Sequence, residues 1–182
     1  MNVVGAFSYL IQAVFGIYSI LVVARFMLQL GDADFYNPIS QTVVKATKYP
    51  LIAMRKIIPS AGRFDGASLL WLYIVQLLMF LALGAFSGAL PMILANPLIV
   101  LLQAARECAS LIINFWMFAI FIEVIGSWFS MGQYNPFLDL VSQITRPIID
   151  PIRRVIPSMG GLDLSPMVAI LAIMFFKQLF GL

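Results

Sequence analysis

Apolar residues run almost unbroken through four stretches of the chain, 3–30, 67–90, 98–129 and 165–182, and polar residues gather between them. About 20 apolar residues in helical form cross the roughly 30 Å of a bilayer's hydrocarbon, and a helix satisfies its own backbone hydrogen bonds there. The stretches therefore predict four transmembrane helices. The last is short, and the third is long enough to tilt or to begin in the interface. The first opens as MNVVGAFSYLIQ, without a basic n-region or a small-residue cleavage site, so it reads as a retained span.

The polar segments 31–66 and 130–164 are copies of one another at an offset of 98 residues. YNP at 36–38 meets YNP at 134–136, Thr47 meets Thr145, RKIIPS at 55–60 meets RRVIPS at 153–158, and Gly62 and Asp65 meet Gly160 and Asp163. Eleven of the 33 positions from Tyr36 to Ser68 are identical without a gap, which coincidence does not explain. The chain is an internal duplication, with a first repeat in 1–90 and a linker plus second repeat in 91–182. An even number of spans in each copy places both the same way up in the membrane, unlike inverted repeats.

Within each loop apolar residues recur at helical spacing: Ile39, Val43 and Ala46 in the first, Phe137, Leu140, Val141 and Ile144 in the second. Lysine, serine, glutamine and aspartate take much of the other face. Two short amphipathic helices at the headgroup level are predicted, begun by Asn37-Pro38 and Asn135-Pro136. The expected fold is an all-α membrane protein of four transmembrane helices in two tandem two-helix repeats, each with an amphipathic interfacial helix in its loop.

Composition strengthens this picture. Apolar residues are 62% and charged residues 10% of the chain, against roughly half and roughly a quarter in soluble domains. A soluble fold of this size could not bury that much apolar side chain. Eight of the eleven basic residues, Lys45, Lys48, Arg55, Lys56, Arg63, Arg146, Arg153 and Arg154, fall in the two loops, so by the positive-inside rule the loops are cytoplasmic and both termini external. The chain has no histidine and one cysteine, Cys108, which excludes an internal disulfide and leaves zinc or haem without their usual ligands. Without a histidine base, a P-loop or a carboxylate pair within one span, neither an enzyme nor a bound cofactor is expected. No direct nucleic-acid partner is expected either.

At DFYNPISQTVVKATKYPLIAMRKIIPSAGRFD and YNPFLDLVSQITRPIIDPIRRVIPSMGGLDLSP the chain resembles the YggT family of bacterial membrane proteins, known as YlmG-related in Gram-positive bacteria and plastids. The resemblance covers almost the whole chain. It implies a multi-pass protein of the bacterial inner membrane, linked to osmotic tolerance, cell division and membrane-complex biogenesis. The second copy carries the fuller motif. The first departs from it, with Lys48-Tyr49-Pro50, with Ala53 in place of Pro151, and with Gly66-Ala67-Ser68 in place of Leu164-Ser165-Pro166.

Arg25 and Glu123 occupy equivalent positions, 98 apart, in otherwise apolar surroundings. Ionisable groups in spans face protein interior or water, so opposite signs invite an ion pair or a permeation path. The alternative is that both reach the interface from within a turn or two of a helix end. Lys45, Lys48, Arg55, Lys56, Arg146, Arg153 and Arg154 are candidate contacts for phospholipid, each contributing about 1 kcal/mol beside an anionic leaflet, or for a protein partner. Asp163 before Ser165-Pro166 has the grammar of a helix start, and Asp65 stands in the same relation to the second span. Pro59 and Pro157, beside Arg55-Lys56 and Arg153-Arg154 at the edge of the interface, are structural positions of the repeat motif, and an Arg153–Asp163 bridge across the loop is open. Small residues Gly84, Ala85, Gly88 and Ala89, and Ala104, Ala105 and Ala109, permit close helix contact. Homo-oligomers and other membrane or division proteins are the expected partners besides lipid. Two readings of function follow: a non-enzymatic accessory or organising factor in osmotic or envelope homeostasis, or an oligomeric channel or transport component that uses Arg25 and Glu123.

Overall fold

The computed structural model describes residues 3–129, 134–156 and 163–182, and among these the regular structure is entirely helical. The order is α1 (Val3–Leu30), α2 (Pro38–Met54), α3 (Gly66–Ser87), α4 (Leu90–Ala95), α5 (Pro97–Phe129), α6 (Pro136–Val155) and α7 (Ser165–Phe180). Three helices, α1, α3 and α5, are long and apolar enough to cross a membrane. The fourth expected span, α7, is apolar but has 16 residues. That gives about 24 Å at 1.5 Å per residue, short of the hydrocarbon thickness.

The span expected over 67–90 ends at Ser87, because Gly88 takes a left-handed conformation (φ 77°) that terminates α3. The short α4 then leads into α5. Both loop helices are longer than their apolar spacing predicts. Helix α2 runs through Pro50, and α6 runs through Pro147 and Pro151. Each proline removes a backbone donor, yet the helices continue, with Leu51 buried just beyond Pro50 and Ile149 buried between Pro147 and Pro151.

Packing centres on the second half of α1. Val22, Val23, Phe26, Met27 and Leu28 are buried against Leu72 of α3, Val43 of α2, and Leu140 and Ile144 of α6. A smaller cluster joins Ile120, Ile149 and Ala169 in the second copy. The first half of α1 instead exposes Phe7, Tyr9, Leu10, Val14 and Ile17, as suits a helix facing lipid. Two polar contacts tie α1 to α3 within this apolar region: Gln76 Nε2 donates to Ser19 Oγ (2.8 Å), and Trp71 Nε1 donates to Tyr18 Oη (3.0 Å). Such bonds hold helices together where few competing partners exist.

The two loop helices begin identically. Asn37 Oδ1 accepts from the Ile39 backbone N–H and Asn135 Oδ1 from that of Phe137, both at 2.9 Å, with Pro38 and Pro136 in the first turn. Asn37 does more, because its Nδ2 also donates to the Pro136 carbonyl (2.9 Å), joining the two copies at their motif starts. Asn37→Ala is therefore expected to cost about 1.5 kcal/mol, a cap plus a part-buried hydrogen bond, and Asn135→Ala about 0.5–1 kcal/mol. Chemical unfolding of each variant measures this, and equal losses would deny the inter-copy bond an energetic role.

A candidate polar site in each repeat

Residues 98 apart assemble into one polar cluster per copy. In the first, Asp65 leads into α3 and is fully buried. Its Oδ2 accepts from Arg55 Nη2 (2.9 Å) and from Ser68 Oγ (2.8 Å), instead of capping a backbone N–H. Gln29, one turn beyond Arg25 on α1, accepts from Arg55 Nη2 (3.4 Å) and donates to the Gly62 carbonyl (3.0 Å). The Arg25 guanidinium lies 5.2 Å from the centre of the Phe35 ring, within electrostatic range of Arg55 and Asp65.

In the second copy Arg153 Nε donates to Asp163 Oδ2 (2.7 Å), and its Nη1 lies 3.6 Å from Asp150. Asp163 Oδ1 accepts from the Ser165 backbone N–H (2.9 Å) at the start of α7, where Ser165 and Pro166 are both buried. The hydrogen bond to Asp163 holds the Arg153 guanidinium above its ordinary pKa range. Burial pushes the Asp163 carboxyl up, but hydrogen bonding from Ser165 and Arg153 outweighs it and leaves this carboxyl below the usual carboxylate value. Thr145 Oγ1 donates to Glu123 Oε2.

Arg25 and Glu123 form no ion pair with each other among the described residues. Arg25 belongs to the cluster of its own copy, and Glu123 hydrogen-bonds Thr145 and acts electrostatically on Arg153. Lys45, Lys48, Lys56, Arg146 and Arg154 are exposed, and Pro59 is exposed beyond α2; Pro157 lies outside the described residues.

Two cavities lie between the copies. One, of about 500 Å³, is lined by Asp32 and Arg63 from the first loop and by Arg146, Asp150 and Arg154 from α6. Arg63 Nη2 pairs with Asp32 Oδ2 at 3.0 Å. Sequence reasoning counted Arg63 as one more loop cation and did not foresee this shared cleft. The other cavity, about 440 Å³, is apolar except for Asn114. Its walls include Ile20 with Phe118, Ala24 with Ile122, Ile39 with Phe137 and Val43 with Val141, each pair 98 apart, so equivalent positions of both copies line it. A hydrocarbon-lined space of this kind suits acyl chains and offers ions no ligands.

Three long apolar helices, a duplicated basic loop and a polar cluster repeated in each copy define a tandem-repeat helical protein of membrane type. The chain belongs to the CCB3/YggT family, whose family model matches residues 4–86 and 102–182. The two matches begin 102 − 4 = 98 residues apart, the offset read from the motifs, and leave α4 in the gap between them. The chain is 42% identical over 179 residues to the uncharacterized protein PA0392 of Pseudomonas aeruginosa, covering 94% of this chain and 86% of that protein. It is 39% identical over 176 residues to a Vibrio alginolyticus protein described by its place in the proC 3′ region, covering 96% and 92%. With the uncharacterized protein YggT of Escherichia coli K12 it shares 35% identity over 164 residues, covering 90% and 83%. No solved structure matches the chain.

Proposed function

We propose that this protein is a non-enzymatic, multi-pass protein of the bacterial inner membrane that organises or assists other membrane or division proteins in osmotic or envelope homeostasis. In this reading α7 is the fourth span, the motif loops face the cytoplasm with α2 and α6 at the headgroup level, and both termini are external. The observation that carries it is the cleft of about 500 Å³ built jointly by the two loops, in which Arg146 and Arg154 have no carboxylate partner among the described residues. A basic cleft with unpaired arginines suits an acidic partner segment. The apolar lining of the cavity between α1 and α5 favours this over permeation through a single copy. In the channel reading, several copies would have to form the path together.

Two measurements decide between them. A photo-crosslinking residue at position 146 or 154 is expected to capture a discrete membrane protein in cells, with capture lost when the remaining cleft arginine is changed to glutamate. Purified protein in liposomes is expected to pass no more ions or water than empty vesicles. Flux altered by Arg25→Ala or Glu123→Gln, with no protein adduct, would replace the organising role with the channel.

A further inference from the structure

We propose that the polar cluster of the first repeat is a phosphate-binding site in which Arg25 and Arg55 hold the anion. This site is separate from the cleft between the loops and does not depend on the organising role. Arg25 is only 9% exposed and accepts no substitute for a hydrogen-bond partner: among the described residues nothing accepts from it, and its Nε and Nη1 are wholly buried and unpartnered. An arginine does not escape this by losing its proton. The Phe35 ring lies 5.2 Å from the guanidinium carbon and attracts its charge, but it offers the N–H donors no lone-pair acceptor. Arg55 Nε is buried without a partner as well.

Charge points the same way. Arg55 pairs with Asp65, and Arg25 lies within electrostatic range of both, so the cluster carries a net +1, with Asp65 Oδ2 already shared between Arg55 and Ser68. The remaining Asp65 Oδ1 is one buried acceptor for a larger set of free donors. Neutral water would satisfy donors but leave the charge uncompensated, whereas a phosphate oxygen answers both needs. The second copy serves as an internal comparison. Glu123 stands where Arg25 does, the Thr145 hydroxyl donates to it, and the cluster of Glu123, Arg153, Asp150 and Asp163 is net −2. The anion site is therefore particular to the first copy.

Depth places the site where headgroup phosphates lie. Arg25 is five residues from the end of α1, about 7.5 Å along the axis, and α1 at about 42 Å overruns the roughly 30 Å of hydrocarbon. The guanidinium thus falls near the plane of the headgroup phosphates, and Arg55, with a side chain 37% exposed, opens the cluster outward. Both a phospholipid headgroup and a soluble phosphate carry the required chemistry.

The test uses the full chain in neutral detergent, titrated with dihexanoyl-phosphatidylglycerol, with inorganic phosphate, and with dihexanoylglycerol, which lacks phosphate. The readout is the thermal midpoint of tryptophan fluorescence. Phosphatidylglycerol is expected to raise the midpoint saturably and dihexanoylglycerol to leave it unchanged. Arg25→Gln and Arg25→Glu should weaken the apparent affinity about ten-fold or more, the loss of roughly one charge-assisted contact. Glu123→Gln should stay near wild type. If Arg25 variants fail to fold, Arg55→Gln, at the more exposed position, carries the same expectation. Equal protection by inorganic phosphate assigns the site to a soluble anion, and protection by the lipid alone assigns it to a headgroup. Absence of a saturable shift in the wild type, or unchanged affinity in folded Arg25 and Arg55 variants, overturns the proposal.

Discussion

Asp65→Ala is expected to lower unfolding stability by about 3 kcal/mol, whereas the matching change in the second copy, Asp163→Ala, is expected to cost about 1 kcal/mol or less. The two aspartates have the same partner type at nearly the same distance, 2.9 Å to Arg55 and 2.7 Å to Arg153. Burial separates them. Asp65 is fully enclosed and lies within range of a second buried guanidinium, so its removal strands positive charge in a poorly solvated place. Asp163 is 36% exposed beside a half-exposed arginine, and water replaces most of what the variant loses. Asp65→Asn should fall between, because it keeps a hydrogen-bond acceptor for Ser68 while losing the charge. Denaturant unfolding in micelles, followed by tryptophan fluorescence, measures all three. Equal losses at the two positions would mean that the clusters are equally solvated and would remove the basis for treating them differently.

That contrast also marks how far the sequence alone reaches. The offset of 98 placed Arg25 with Glu123, Thr47 with Thr145, Arg55 with Arg153 and Asp65 with Asp163, and the structure gathers Arg25, Arg55 and Asp65 at one end of its first copy. Partner choice was not legible. Arg25 and Glu123 have opposite signs and equivalent positions, so an ion pair between them was a natural expectation, but Arg25 lies beside Phe35 of its own loop and Glu123 accepts from Thr145 of its own. Gln29 left a faint signal, four residues after Arg25 and hence on the same face of α1. Phe35 left none, because its place over Arg25 depends on how the chain turns after the helix ends.

The helices divide along similar lines. Bounds of α1 match the apolar run, and α5 begins one residue before it, since both follow from the length of a hydrophobic stretch. Helices α3 and α7 stop two or three residues before their apolar runs do, at Gly88 (φ 77°) and Gly181 (φ 63°). A left-handed glycine ends a helix without changing hydropathy, so an apolar count passes over it. In α2 and α6 the helices run past what apolar spacing alone predicts: they continue through Pro50, Pro147 and Pro151, with Leu51 buried beyond Pro50 and Ile149 buried beyond Pro147.

One methyl group at the seam between the copies is expected to have the second-largest effect. Gly31, just past α1, lies so close to α6 that a Cβ there would meet the Gln143 carbonyl oxygen at 2.6 Å and Ile144 Cα at 3.0 Å. These are backbone atoms of a packed helix and cannot swing aside as the end of a side chain would. The seam is also tied by Asp34 N–H donating to Gln143 Oε1 at 2.7 Å, and Trp116 Nε1 of α5, donating to the Ile144 carbonyl at 3.3 Å, holds α6 from its own copy. Backbone φ at Gly31 is not left-handed, so alanine there is conformationally acceptable and the penalty is steric. Gly31→Ala should cost about 2–3 kcal/mol by forcing α1 and α6 apart. The same change at Gly16, in the middle of α1 with nothing within 4 Å of the added methyl, should stabilise by about 0.5–1 kcal/mol through helix propensity. Opposite signs for one chemical substitution isolate the seam from any general effect of removing glycine. A neutral Gly31→Ala would show that α6 can move away from α1 at little cost, and the cleft the two loops build together would then lack a rigid wall.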